Sequence, residues 1–184
     1  GVGLAMAIVR FRVMDMSVRP WAIISQTIPI VAIAPMILVV SNQLGIQGRE
    51  VPKAIIASYL SFFPVLVSMV KGLRAPDQMQ LDLLRTWGAT EGQTFRKLRL
   101  PASMPYFFAS LKVAVAAALV GTIVGELPTG AVEGLGARML LGSQYGEPLI
   151  TWAALFASAI LAGVLILAVG LAERLANRRM GVRA

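Results

Sequence analysis

The chain has 184 residues with no cysteine and no histidine; 57% are hydrophobic, 14% are charged, and the formal net charge is +8. Without Cys or His there can be no disulfide, thiol nucleophile, imidazole base or His/Cys-ligated metal. A soluble domain is nearer 45–50% apolar and about 25% charged, so this chain, with a mean hydropathy of +0.75, has the composition of a membrane protein.

Gly1 to Val9 is apolar and is followed at once by Arg10 and Arg12. It is too short to span a bilayer, which takes roughly 20 residues. The expectation is the tail of a span whose beginning lies upstream, rather than a cleaved signal peptide. Pro20 to Gly48 carries no charge, and a first full span is expected at about 20–41. Pro29 and Pro35 lie inside it and free backbone carbonyls there. Gln26 and Thr27 lie beside the first kink and offer a polar lining. The prolines serve either packing or a solute pathway. A second span is expected at about 54–72, bounded by Lys53 and Lys71, with Pro64 near its middle. Ser58, Tyr59, Ser61 and Ser68 read as hydrogen bonders between helices.

From Arg74 to Pro101 the chain turns polar. Pro76 suits a first helical turn, and Met79, Leu83, Leu84 and Trp87 make an apolar stripe at helical spacing. Gly88 stands where a left-handed C-cap belongs. Thr90 with Gln93 is a capping box that opens a second helix, bearing Phe95 and Leu98 beside Arg96, Lys97 and Arg99. Pro101 and Pro105 are expected to stop it. An amphipathic pair on a loop needs something to cover its stripe, either a partner or the lipid surface.

A third span is expected at about 102–125. Lys112 inside it either snorkels to the headgroups, the better reading, or faces a polar interior. Ala117, Gly121 and Gly125 form a small-residue stripe, for packing within the chain or for a dimer seam. Glu126 to Glu147 is a glycine-rich loop, with Pro128, Gly130, Gly134 and Gly136, and a short surface helix is expected at Leu135–Leu141. The last span is expected at about 148–172, and a basic tail follows.

Segments 10–19, 71–99 and 174–183 hold three, six and four basic residues, against two and one in 41–53 and 126–147. The positive-inside bias places the first set in the cytoplasm. The basic residues cluster at the ends of apolar runs, with no basic face rich in aromatics, so membrane topology accounts for the charge and no nucleic-acid partner is expected. The chain contains no Gly-x4-Gly-Lys-Ser/Thr sequence, so any ATP-driven work must use a partner's nucleotide site. The fold class expected is all-α, a polytopic membrane helical bundle with a cytoplasmic helical loop at 74–101.

Asp82-Leu83-Leu84, three residues, Gly88, nine residues and Leu98-Arg99-Leu100-Pro101 resemble the EAA loop of bacterial ABC importer permeases. That pattern is Glu-Ala-Ala, three residues, Gly, nine residues, Ile, any residue, Leu-Pro. Gly88, the Leu-Pro pair and every spacing are kept; Leu83 and Leu84 replace two alanines. The resemblance extends to TIPIVAIAPM at 27–36, FFPVLVSMVKGLR at 62–74, LKVAVAAALVGTIVGEL at 111–127 and EGLGARML at 133–140. It is nearest the nitrate/sulfonate/taurine group.

The resemblance implies one permease domain over 1–184, preceded by further spans and paired with a second permease subunit as a homodimer. It also implies an ABC ATPase subunit, a periplasmic or lipid-anchored solute-binding protein, and a place in the bacterial inner membrane. On that basis Asp82, Leu83, Leu84, Gly88, Ala89, Leu98, Leu100 and Pro101 are the ATPase-coupling candidates. Gln26, Pro29, Pro35, Pro64 and Lys112 are pathway or gating candidates. No cofactor and no catalytic residue are expected. An ion-coupled carrier or channel is the alternative, but it would ordinarily carry more charge within its spans. A membrane enzyme would need an acidic pair at membrane depth. Transport is expected to proceed by alternating access. The solute expected is small and anionic or nitrogenous, such as a sulfonate or a pyrimidine-like compound.

Overall fold

The computed structural model describes residues 1–45, 48, 50–127 and 133–180. Pro128, Gly130 and Arg183 lie outside them. Every regular element described is helical: α1 (Val2–Arg10), α2 (Arg12–Ser25), α3 (Ile30–Gln43), α4 (Glu50–Leu73), α5 (Gln78–Thr86), α6 (Glu91–Thr94), a π turn (Phe95–Arg99), α7 (Leu100–Glu126), α8 (Leu135–Gln144) and α9 (Pro148–Met180). The fold is all-α, as the apolar runs predict. Three helices among the described residues are long and apolar enough to cross a membrane: Glu50–Leu73, Glu91–Glu126 and Pro148–Arg178. Counting α2 and α3 together as one broken span makes four.

Where a single kinked span was expected at 20–41, α2 already runs through Pro20 and ends at Ser25, and α3 starts at Ile30. Pro29 explains the break. It has no N–H to continue a helix, and it pushes the residue before it out of the α region. Pro29 becomes the N-cap of α3 with φ −62° and ψ 120°. Pro35 and Pro64 are tolerated inside α3 and α4.

Contacts divide the chain into two compact units. One contains Gly1–Ile23, Phe63–Lys112 and the segment from Val169 onward. Its buried apolar residues include Ala5, Ile8, Leu66, Met69, Leu73 and Phe108. At Gly72, α4 meets α7 so closely that a Cβ would lie 2.8 Å from the Cβ of Tyr106 and 3.0 Å from Ser103. Ser103 and Ser110 are buried and donate to carbonyls of their own helix, Leu100 and Phe107, each at 2.7 Å. Asp15 on α2 accepts from Arg74 at 2.9 Å. Lys112 on α7 donates to Glu173 on α9 at 2.6 Å.

The other unit contains Ile24–Phe62 and Val113–Ala168. Here the small-residue stripe on α7 lies against α4. A Cβ on Gly121 would come 2.9 Å from the Cα of Ala57, and one on Gly125 would come 3.2 Å from Ile56. The stripe therefore packs within the chain. Ser61 was expected to bond between helices; instead it donates to Ala57 of its own helix at 2.9 Å, as hydroxyls in helices commonly do. Tyr59 does reach another element, donating to the Ser25 carbonyl at the end of α2.

The helix expected at Leu135–Leu141 is longer, Leu135–Gln144, and is not merely a surface element. Gly136, Ala137 and Gly142 are buried. Its first-turn N–H groups at Gly136 and Ala137 donate to Glu126 Oε2 at 2.7 and 3.3 Å. Lys53 Nζ stands 3.4 Å from Glu126 Oε1, with side-chain exposures of only 12% and 8%. One carboxylate thus caps a helix, where anions are favoured, and neutralises a half-hidden ammonium.

Candidate coupling surface

The polar loop is built by local signals. Asp77 caps α5, accepting from the Gln78 N–H at 2.7 Å, while Gln80 accepts from the Asp77 N–H at 3.3 Å. Pro76 therefore precedes the cap instead of sitting in the first turn. Satisfying these N–H groups is what lets a nine-residue helix hold.

α5 ends in a Schellman motif. The Ala89 N–H donates to the Leu84 carbonyl at 3.0 Å and the Gly88 N–H to Arg85 at 2.9 Å. Gly88 takes φ +71° between them, a conformation in which a Cβ is strained. The capping box at Thr90 follows. Gln93 N–H donates to Thr90 Oγ1 at 3.3 Å, and Thr90 N–H donates to Gln93 Oε1 at 2.9 Å.

Beyond the cap the structure departs from expectation. Pro101 and Pro105 do not stop the second helix, which runs unbroken from Glu91 to Glu126. The π turn at Phe95–Arg99 explains how Pro101 is passed, while Pro105 is tolerated inside α7. Leu100 N–H bonds the Phe95 carbonyl, one residue further back than in an α-helix, and Pro101 then falls in the first turn of α7, where its missing N–H is least disruptive. Leu98 and Leu100 are half-buried on this rod, and Pro101 is exposed.

The stripe on α5 faces outward. Met79, Leu83 and Trp87 are 80%, 51% and 73% exposed, and their i, i+4, i+8 spacing sets them on one face. Leu84 and Ala89 are half-buried, and Asp82 is exposed and pairs with Arg85 at 3.0 Å. Asp82, Leu83, Leu84 and Gly88 thus belong to one capped helix and its corner, while Leu98, Leu100 and Pro101 lie on the π turn and the start of α7.

The pathway candidates are scattered. Gln26 and Pro29 lie in the break between α2 and α3, where the Gln26 Nε2 is buried without a hydrogen-bond partner among the described residues. Pro35 and Pro64 sit inside helices. Lys112, expected to snorkel, is held by Glu173, 61 residues away in sequence. Sequence reading also missed Glu126 and Lys53. A carboxylate just ahead of a glycine-rich stretch was the available signal for the former.

These features define a multi-pass helical membrane protein with a structured polar loop. Residues 1–182 match the model of the binding-protein-dependent transport system inner membrane component family, and the protein belongs to that family, the permeases of ABC importers, which are transport components rather than enzymes. It is 36% identical to the formylaminopyrimidine transport permease protein ThiX of Halalkalibacterium halodurans, over 66% of this chain and 46% of that protein. It is 29% identical to the riboflavin transport system permease protein RibX of Chloroflexus aurantiacus, over 91% and 60%. It is 24% identical to the bicarbonate transport system permease protein CmpB of Synechocystis, over 56% and 37%. The chain spans roughly half the length of the curated relatives it matches.

Proposed function

We propose that residues 1–184 form the permease domain of an ATP-driven importer in the bacterial inner membrane, with 74–101 cytoplasmic and docked on a separate ATPase subunit. The observation that carries this reading is the exposed stripe Met79–Leu83–Trp87 on a helix fixed by a cap at each end. Three large apolar side chains in water are unfavourable by roughly 1.5–3 kcal/mol each relative to burial, and a groove on a partner would bury them. Asp82, Leu83, Leu84, Gly88 and Ala89 then shape the docking helix. Leu98, Leu100 and Pro101 join it to α7.

Two permease subunits as a homodimer and an external solute-binding protein would complete the machine. ATP-driven closure of the ATPase pair would shift the permease between its two facing states, because binding energy that differs between states is what moves such an equilibrium. Gln26 and Pro29, at a helix break with an unsatisfied amide, are the best pathway positions; Pro35 and Pro64 supply further bending points. Lys112 acts as a clamp between α7 and α9. The names of ThiX and RibX favour a nitrogen-containing heterocycle as solute.

The test is reconstitution of the full-length permease with its ATPase and binding protein. Uptake should require ATP and both partners, and a cysteine placed at Lys97 should be labelled only from the cytoplasmic side. Uptake that proceeds without the ATPase would favour a carrier and refute this reading.

A further inference from the structure

In the unit that holds α1 and the loop helices, a pocket of about 630 Å³ opens between them. Its lining has two chemistries. Met6, Val9, Leu81 and Phe95 are apolar, whereas Arg10, Arg85 and Arg99 bring three guanidiniums. Glu91 is the one carboxylate in the lining, and it is already paired with Arg10. Arg85 pairs with Asp82 on its own helix. Arg99 has no ion pair among the described residues, and it is half-buried.

We propose that this pocket holds the headgroup of an acidic membrane phospholipid, its phosphate on Arg99 and Arg85 and its upper acyl chains along Met6 and Phe95. Three observations favour that occupant. First, the positive charge exceeds the negative, and a guanidinium fork matches phosphate oxygens in a bidentate way. Second, the cavity is far larger than a lone anion and is lined in part by apolar side chains, which a free ion does not require. Third, it lies where the apolar α1 ends at Arg10 and where α7 begins beyond Arg99. With the loop in the cytoplasm this is headgroup depth, and basic pockets between helices there bind anionic lipid. The placement rests on the orientation proposed above. Ala89 of the docking corner also lines the pocket, so the lipid would touch the coupling surface from behind.

The experiment is native mass spectrometry of the purified full-length permease after equilibration with micelles containing phosphatidylglycerol or phosphatidylcholine. The wild type should keep a phosphatidylglycerol adduct in preference to phosphatidylcholine. Arg99→Gln should lower retention roughly fivefold, on the scale of one surface arginine against anionic lipid. Arg99→Lys should restore part of it, and Arg178→Gln, outside the pocket, should change nothing. Size-exclusion elution of each variant checks that it is folded.

Equal retention by wild type and Arg99→Gln, or equal retention of the two lipids, overturns the proposal. So does displacement of the adduct by millimolar inorganic phosphate, which would make the pocket a small-anion site. A crosslink from Phe95→Cys to protein instead of lipid would also overturn it, because a polypeptide would then fill the space. The assay is done in micelles and reads no transport, so failed uptake would sink the importer reading without affecting this result.

Discussion

The corner at Gly88 and the entry to α8 both turn on glycine, for opposite reasons. Around Gly88 there is nothing within 4 Å of where a Cβ would stand, yet φ is +71°. There the backbone angle demands glycine, and the space does not. At Gly136 the opposite holds: a Cβ would come within 2.5 Å of the Ile123 carbonyl oxygen and 2.9 Å of Glu126 Oε2. The first glycine shapes a surface that faces outward. The second lets a helix start pack onto a buried carboxylate. The same residue type therefore has separable consequences, one for the shape of an exposed corner and one for packing.

The largest effect is expected at Glu126. Glu126→Ala would strip two helix N–H groups of their acceptor and leave Lys53 without its buried partner, a loss of about 3–5 kcal/mol. Thermal melting in detergent should show it as a clear drop in Tm. Glu126→Gln should fall between the variant and wild type, because the amide oxygen can still accept from α8. Gly136→Ala comes next, at about 1–3 kcal/mol of overpacking, again visible in Tm.

Gly88→Val should add roughly 1–2 kcal/mol of left-handed strain while leaving membrane insertion intact, so the readout is co-purification of the ATPase. Gly88→Asn separates angle from space, since asparagine tolerates this conformation far better. It should bind the ATPase nearly as the wild type does, and equal failure of Asn and Val would break the comparison. The smallest change is Thr90→Ala, which removes a cap worth about 1 kcal/mol. It should raise amide exchange at Glu91–Gln93 with little change in Tm.

What could be read from the sequence was what neighbours in sequence determine. The capping box at Thr90–Gln93 and the glycine at position 88 need no knowledge of the rest of the chain, and apolar runs mark the spans for the same reason. Glu126 could not be read in the same way, because its partners Gly136 and Lys53 are brought to it by folding. The pairing of Lys112 with Glu173 is likewise a tertiary event. Pro101 misled for a subtler reason: a proline stops an α-helix only if the turn before it is α, and nothing in FRKLR announces a wider turn. α9 passes its expected end at 172 and continues to Met180, because apolarity marks where a bilayer ends and not where a helix does.

The wider turn also fixes an angle. Successive residues of an α-helix are set about 100° apart, and a π turn inserts one residue into that count. The face that α6 presents is thus rotated about 100° from where an uninterrupted helix would aim it. Deleting one residue between Phe95 and Arg99 would leave the helix continuous, with Thr90 and Gly88 swung about its axis. The loop's facing would change while every residue in α5 stayed the same, so azimuth as well as composition decides which surface the loop presents.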